Sequence, residues 1–145
     1  MSQVWARDPH QPQTWPRLFT LAEANDLLPE VMLLLLELRS HKVTLDSAVA
    51  ALSALTPAMR QNGHAAPARE LEARIQEMTE VLAAGIDQLT TMGIEIKSLD
   101  HGLIDFPSLH EGRVVFLCWR LGEGPVVRFW HDIDAGFAGR RLLAD

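Results

Sequence analysis

Residues 29–52 read PEVMLLLLELRSHKVTLDSAVAAL, and residues 71–92 read LEARIQEMTEVLAAGIDQLTTM. In the first stretch Val31, Leu35, Leu38, Leu45, Val49 and Leu52 recur at alternating steps near 3.5 residues, with Lys42 in the one missing place. In the second, Leu71, Ile75, Met78, Leu82, Leu89 and Met92 repeat that step, with Gly85 at the gap. Pro57, Asn62, Gly63 and Pro67 lie between the two and break the helix. Two apolar seams joined by a breaker segment predict an antiparallel helical hairpin whose arms are roughly 35–40 Å long at about 1.5 Å per residue.

Upstream, Thr20 and Glu23 match the Ser/Thr-x-x-Glu capping box, so a helix starts at this point. Pro29 lacks an amide proton and suits a first helical turn. The expectation is therefore a short helix to about Leu27, a joint, and the long arm beginning near Pro29. Met32, Leu33, Leu34 and Leu36 make that arm apolar nearly all round, which requires cover beyond the hairpin mate. The rest of the chain and a second copy are the candidates, and the second implies a homodimer through the hairpin. Residues 1–17, with Pro9, Pro12 and Pro16, read as an extended arm, although Trp5 and Trp15 are large for a free tail and Trp15 is expected to pack.

After Gly93 the periodicity changes. Residues 94–97, 103–106, 113–120 and 126–131 are β-branched or aromatic runs, and Leu121-Gly122-Glu123-Gly124-Pro125 supplies glycines for a turn. Leu142 and Leu143 follow the glycine breaks at Gly136 and Gly139 and are expected to tuck back onto the core. The fold class is α+β: residues 18–145 form one domain, with the helical hairpin at 20–92 and a small antiparallel sheet within 93–145.

The chain's 145 residues are 48% hydrophobic and 22% charged, enough for a single core. A formal charge of -6 argues against the phosphate-neutralising surface that nucleic-acid binding requires. Five arginines after residue 112 stand among four acidic residues and do not make a basic face. The longest uncharged apolar run, Val31 to Leu36, is six residues, against the ~20 of a membrane span. A single cysteine, Cys118, excludes a disulfide framework and multi-cysteine metal sites and suits the reducing cytoplasm. Phosphate-loop, dinucleotide-binding, serine-hydrolase and His-Glu-x-x-His signatures are absent from the sequence.

Chemistry-bearing residues concentrate near the end: Asp105, Arg113, Cys118, Glu123, His131, Asp132, Asp134 and Arg140. Carboxylates and imidazole suit iron, manganese or zinc, so His131 and Glu123 are candidate metal ligands, with Glu23 joining if the joint before Pro29 lies near the sheet. A divalent metal ion is the implied cofactor. Asp105, Arg113, Cys118 and Arg140 are candidate ligand-binding residues. Arg140, in the glycine-flanked segment 136–141, could clamp a small anion. Each also has a plainer reading: Cys118 as a buried small side chain, His131 as a strand-end histidine, Glu123 as a solvated turn residue, Asp105 as the ion-pair partner of Arg113 or Arg140, and Trp119 stacked on Arg128. Register decides between them. A hairpin turning at Glu123 and Gly124 pairs Phe116 with His131 and puts Cys118 and His131 on one face. The expected site lies between the sheet and the base of the helical hairpin; the alternative is a homo-oligomeric hairpin module with no ligand chemistry.

Residues 19–29 (FTLAEANDLLP), 96–100 (IKSLD), 102–107 (GLIDFP), Gly112-Arg113, 117–123 (LCWRLGE), Trp130-His131 and 134–140 (DAGFAGR) together resemble the bacterial family known as domain of unknown function 2203. The resemblance covers nearly everything after the N-terminal arm, and its C-terminal motifs are the specific part. It implies that Asp105, Arg113, Cys118, Trp119, Glu123, Trp130, His131, Gly136 and Arg140 occupy the family's motif positions, and it implies no activity for any of them.

Overall fold

The computed structural model describes residues 8–59, 61, 63 and 65–143. Helix α1 spans Leu21–Ser53, the short α2 Pro57–Met59, and α3 Ala65–Thr91. The capping box opens α1 as expected: the Glu23 amide donates to Thr20 Oγ1 at 3.1 Å, and the Thr20 amide donates to Glu23 Oε1 at 2.8 Å. The expected joint before Pro29 is absent, and α1 runs through it as one helix. A mid-helix proline forfeits one hydrogen bond and crowds the carbonyl four residues back, a cost of about 3 kcal/mol. Pro29 is exposed, so the Asn25 carbonyl can tilt toward water. On the opposite side Ala24, Leu28, Val31 and Leu35 are wholly buried in the core, and at about 1.5–3 kcal/mol per large aliphatic side chain their burial outweighs the break.

The contact face of α1 follows 3.6 residues per turn and not a strict 3.5. Ala48 is therefore 4% exposed, whereas Val49, assigned to the seam by its spacing, is 44% exposed. On α3 Leu82, Gly85 and Leu89 are buried at their seam positions, Leu71, Ile75, Met78 and, just past its end, Met92 are partly buried, and Ala68, outside the seam as read, is buried as well. Leu33 at 65% and Leu36 at 43% stay exposed on the outer side of α1. Gly85 stands against the buried side chain of Leu38, where a Cβ would overlap its methyl groups. Gly85→Val is expected to lower stability by about 2–3 kcal/mol through overpacking, while Ala83→Val on the exposed side of α3 stays within about 0.5 kcal/mol. Urea denaturation of the two variants checks this, and equal midpoints would contradict it.

The sheet comprises β1 (Glu95–Ser98), β2 (Leu103–His110), β3 (Arg113–Arg120), β4 (Phe129–Asp132) and β5 (Arg141–Leu142), all antiparallel and in sequence order. The strand expected to stop near Phe106 continues through Pro107 to His110. β1 pairs no further than Asp105, so the side of β2 where proline lacks its donor is a free edge. The Pro107 carbonyl on that side accepts the Phe19 amide at 2.7 Å. Glu111 and Gly112 both have positive φ, 50° and 80°, and close a two-residue hairpin between β2 and β3. β5 was not anticipated. Its Leu142 stays exposed, while Leu143 packs on the core and donates its amide to the Arg128 carbonyl at 2.8 Å.

Strand alternation divides the sheet. Ile104, Phe106, Leu117 and Trp119 turn inward to Leu28, Leu35, Leu38 and Leu89 of the helices. The intervening residues, Asp105, Phe116, Cys118 and His131 among them, face away from the hairpin. Residues 8–17 contribute to the cover of this outer face: they make one 3-10 turn, Pro12–Thr14, and Trp15 meets Phe116 edge-on at 5.5 Å. Trp5 lies outside the described residues. Among the described residues, no helix is long and apolar enough to cross a membrane.

Candidate metal centre

Two registers build the site. The tight turn at Glu111-Gly112 sets Asp105 opposite Cys118, and the β3–β4 pairing sets Phe116 opposite His131, the register expected from a turn at Glu123 and Gly124. His131 then lies diagonally across from Cys118 on the same face, within reach of Asp105. Asp105 and Cys118 are 1% exposed and His131 2%. One ligand atom from each, a carboxylate oxygen, Sγ and an imidazole nitrogen, lies within 4.8 Å of the other two.

The hydrogen bonding of the three constrains their protons. His131 Nδ1 sits 2.7 Å from the backbone carbonyl of Asp132, which only accepts, so Nδ1 carries a hydrogen. Nε2 sits 3.2 and 3.1 Å from the two carboxylate oxygens of Asp105, also acceptors when ionised. One proton must bridge this pair. Burial pushes the Asp105 carboxyl above its ordinary pKa; His131, the Cys118 hydrogen bond and Lys97 pull it partly back. Burial first, and then the charge of Asp105, push the Cys118 thiol up to about 12, with Arg140 opposing. Cys118 is therefore held as a thiol and is a poor nucleophile by itself.

Arg140 closes the outer side. Its Nη1 is 4.0 Å from Cys118 Sγ and 2.7–2.9 Å from the Glu123 carboxylate, and its guanidinium lies 4.0 Å from the ring centres of both Phe129 and Phe137. Glu123 also accepts the Arg120 amide at 2.8 Å.

Of the residues singled out from sequence, the structure brings together Asp105, Cys118 and His131, with Arg140 beside them. Glu123 is not a solvated tip residue and is not in the cluster, because Arg140 and the Arg120 amide occupy its oxygens. Glu23 is exposed and committed to its helix cap, so it stays apart. Arg113 pairs with Asp132 at 3.0 Å on the sheet, not with Asp105. Trp119 is buried in the core and donates its indole N–H to the Gly124 carbonyl at 3.0 Å, which replaces the expected stacking on Arg128. The cluster lies on the sheet face away from the helices, not between sheet and hairpin, because the apolar members of β2 and β3 claim the inner face.

The model of the family described as "Uncharacterized conserved protein (DUF2203)" matches residues 17–143. The chain belongs to this family. No curated protein and no solved structure matches the chain. The DUF2203 match takes in both long helices, the whole sheet and all of Asp105, Cys118, Glu123, His131 and Arg140, and begins after the segment that carries Trp15.

Proposed function

We propose that this protein binds one divalent transition-metal ion, zinc or ferrous iron, through the Asp105 carboxylate, the Cys118 thiolate and His131 Nε2. The observation that carries the reading is the orientation of His131. Its Nδ1–H is spent on the Asp132 carbonyl, which fixes the tautomer whose Nε2 lone pair points at the carboxylate and thiol. A cation placed among the three replaces the bridging proton and the thiol proton, and its two positive charges balance the carboxylate and the thiolate that result. Tetrahedral bonds of about 2.0–2.3 Å set ligand atoms about 3.3–3.7 Å apart, so ligand atoms that all lie within 4.8 Å of one another close by at most about 1.1–1.5 Å to hold the ion. A soft thiolate beside a nitrogen and an oxygen favours zinc or ferrous iron over manganese. Three protein ligands leave a fourth position for water or a bound molecule, the arrangement of catalytic metal sites as opposed to closed structural ones. A lone cysteine used as a ligand suits the reducing cytoplasm.

Cobalt titration of chelator-treated protein tests this. One equivalent is expected to bind with an intense sulfur-to-cobalt charge-transfer band and to be displaced by zinc. Because binding displaces protons, apparent affinity rises by about tenfold per pH unit for each proton released on going from pH 6 to 8. The absence of cobalt uptake, or uptake without the sulfur band, would remove the reading.

A further inference from the structure

On the inner face of the sheet, the pair beyond Phe106 and Leu117 is Ser108 opposite Val115. The segment leading into α1 crosses the sheet edge here. The Phe19 amide is bound to the Pro107 carbonyl at 2.7 Å, and its ring meets Phe106 edge-on at 5.2 Å. Between this segment and Leu143 a cavity of about 630 Å³ remains, floored by Ser108, Val115, Leu117 and Trp130. Small-molecule pockets run from about 300 to 1,000 Å³.

Ser108 is the informative member. It is only 7% exposed, yet among the described residues its hydroxyl has no hydrogen-bond partner. No side-chain nitrogen or oxygen sealed from solvent lacks a partner among the described residues, so this hydroxyl opens onto the cavity that Ser108 lines. A hydroxyl placed in this way is a hydrogen-bonding position that the fold has not spent. Thr20, the other hydroxyl residue of the lining, is engaged by Glu23 in the helix cap. The rings of His110 and Trp130 stand 5.1 Å apart at 38° and give the cavity an aromatic wall, with His110 half exposed at its mouth. None of the lining residues is Asp, Glu, Lys or Arg. An ion entering here would give up its water without meeting a counter-charge, which selects an uncharged occupant.

We propose that this cavity binds a small uncharged aromatic molecule that carries one hydroxyl, with its ring against Trp130 and His110 and its hydroxyl on Ser108. The site lies on the opposite face of the sheet from Asp105, Cys118 and His131 and does not require the metal. Phenol is the probe, with toluene and cyclohexanol as comparators, each titrated into the full-length protein. The backbone amide resonances of residues 108–110 and the indole N–H resonance of Trp130 are the readout. Phenol is expected to shift them saturably and at lower concentration than either comparator, because toluene lacks the hydroxyl and cyclohexanol the aromatic ring. Ser108→Ala removes one oxygen from a strand position and leaves the packing in place. It is expected to raise the half-saturating concentration of phenol about fivefold and to leave that of toluene unchanged. Resonances unmoved by phenol, a comparator that binds as tightly as phenol, or phenol binding that is equal in wild type and Ser108→Ala would overturn the proposal.

Discussion

His131→Gln is expected to weaken metal binding at least about 100-fold, equivalent to roughly 2.7 kcal/mol, while the chain remains folded. Glutamine can still hydrogen-bond to Asp105 from this strand position, but it offers an amide where imidazole presented an aimed nitrogen lone pair. Loss of a partner that only orients a ligand already costs about 10–100-fold, and removing one of three protein ligands sets a higher floor. Cys118→Ser is expected to abolish the sulfur-to-cobalt band, and Asp105→Asn to lower affinity in the same direction, since it removes the only carboxylate in the cluster. Arg113→Gln serves as the control. Arg113 pairs with Asp132 at 3.0 Å from a half-exposed position and touches none of the three ligands, so its affinity should stay within about threefold of wild type. Competition titration against a chelator of known affinity reads all four variants. A His131→Gln protein that binds as tightly as Arg113→Gln would move the metal elsewhere.

Trp119→Ala carries the largest expected cost in stability. Trp119 is the largest of the fully buried side chains and forms part of the layer joining the sheet to Leu28, Leu35 and Leu38 of α1. Truncating a buried tryptophan costs about 3–5 kcal/mol. The change also leaves the Gly124 carbonyl without its indole donor, and that carbonyl belongs to the turn that holds Glu123 against Arg140. At about 3 °C per kcal/mol for a chain of this size the melting temperature falls by about 10–15 °C. Trp119→Phe, which keeps most of the volume and loses the hydrogen bond, should recover more than half of the loss. Calorimetry on both variants separates the two contributions, and a drop below about 3 °C for Trp119→Ala would show that the layer is not the core.

The hairpin and the α+β order were legible because each rests on a local period. Val31, Leu35 and Leu38 on one arm and Leu82 and Leu89 on the other are buried as their spacing requires. What failed was local in a different way. Pro29 obeys its intrinsic preference in a peptide, yet four buried side chains around it override that preference, and burial is a tertiary fact. β5 is two residues long and is specified by its neighbour β4, not by its own pattern.

The site was half legible. Asp105, Cys118, His131 and Arg140 all stood out by type, and the β3–β4 register followed from the glycine-flanked turn. Glu111-Gly112 carried the missing signal. A two-residue turn there forces Asp105 opposite Cys118, and with Phe116 opposite His131 the three fall on one face without any coordinates. Glu123 misled because a residue at a glycine turn reads as solvated, and the arginine that covers it arrives from 17 residues later in the chain. The face was misjudged for a related reason: polar groups were assigned to the seam between layers, although alternating strands give that seam to Ile104, Phe106, Leu117 and Trp119.

X-ray absorption at the metal edge of protein loaded with one equivalent of zinc shows whether the ion is held by one carboxylate, one thiolate and one imidazole, as proposed. One sulfur at about 2.3 Å with nitrogen or oxygen neighbours at about 2.0–2.1 Å is the predicted first shell, and a shell of nitrogen and oxygen alone would contradict it.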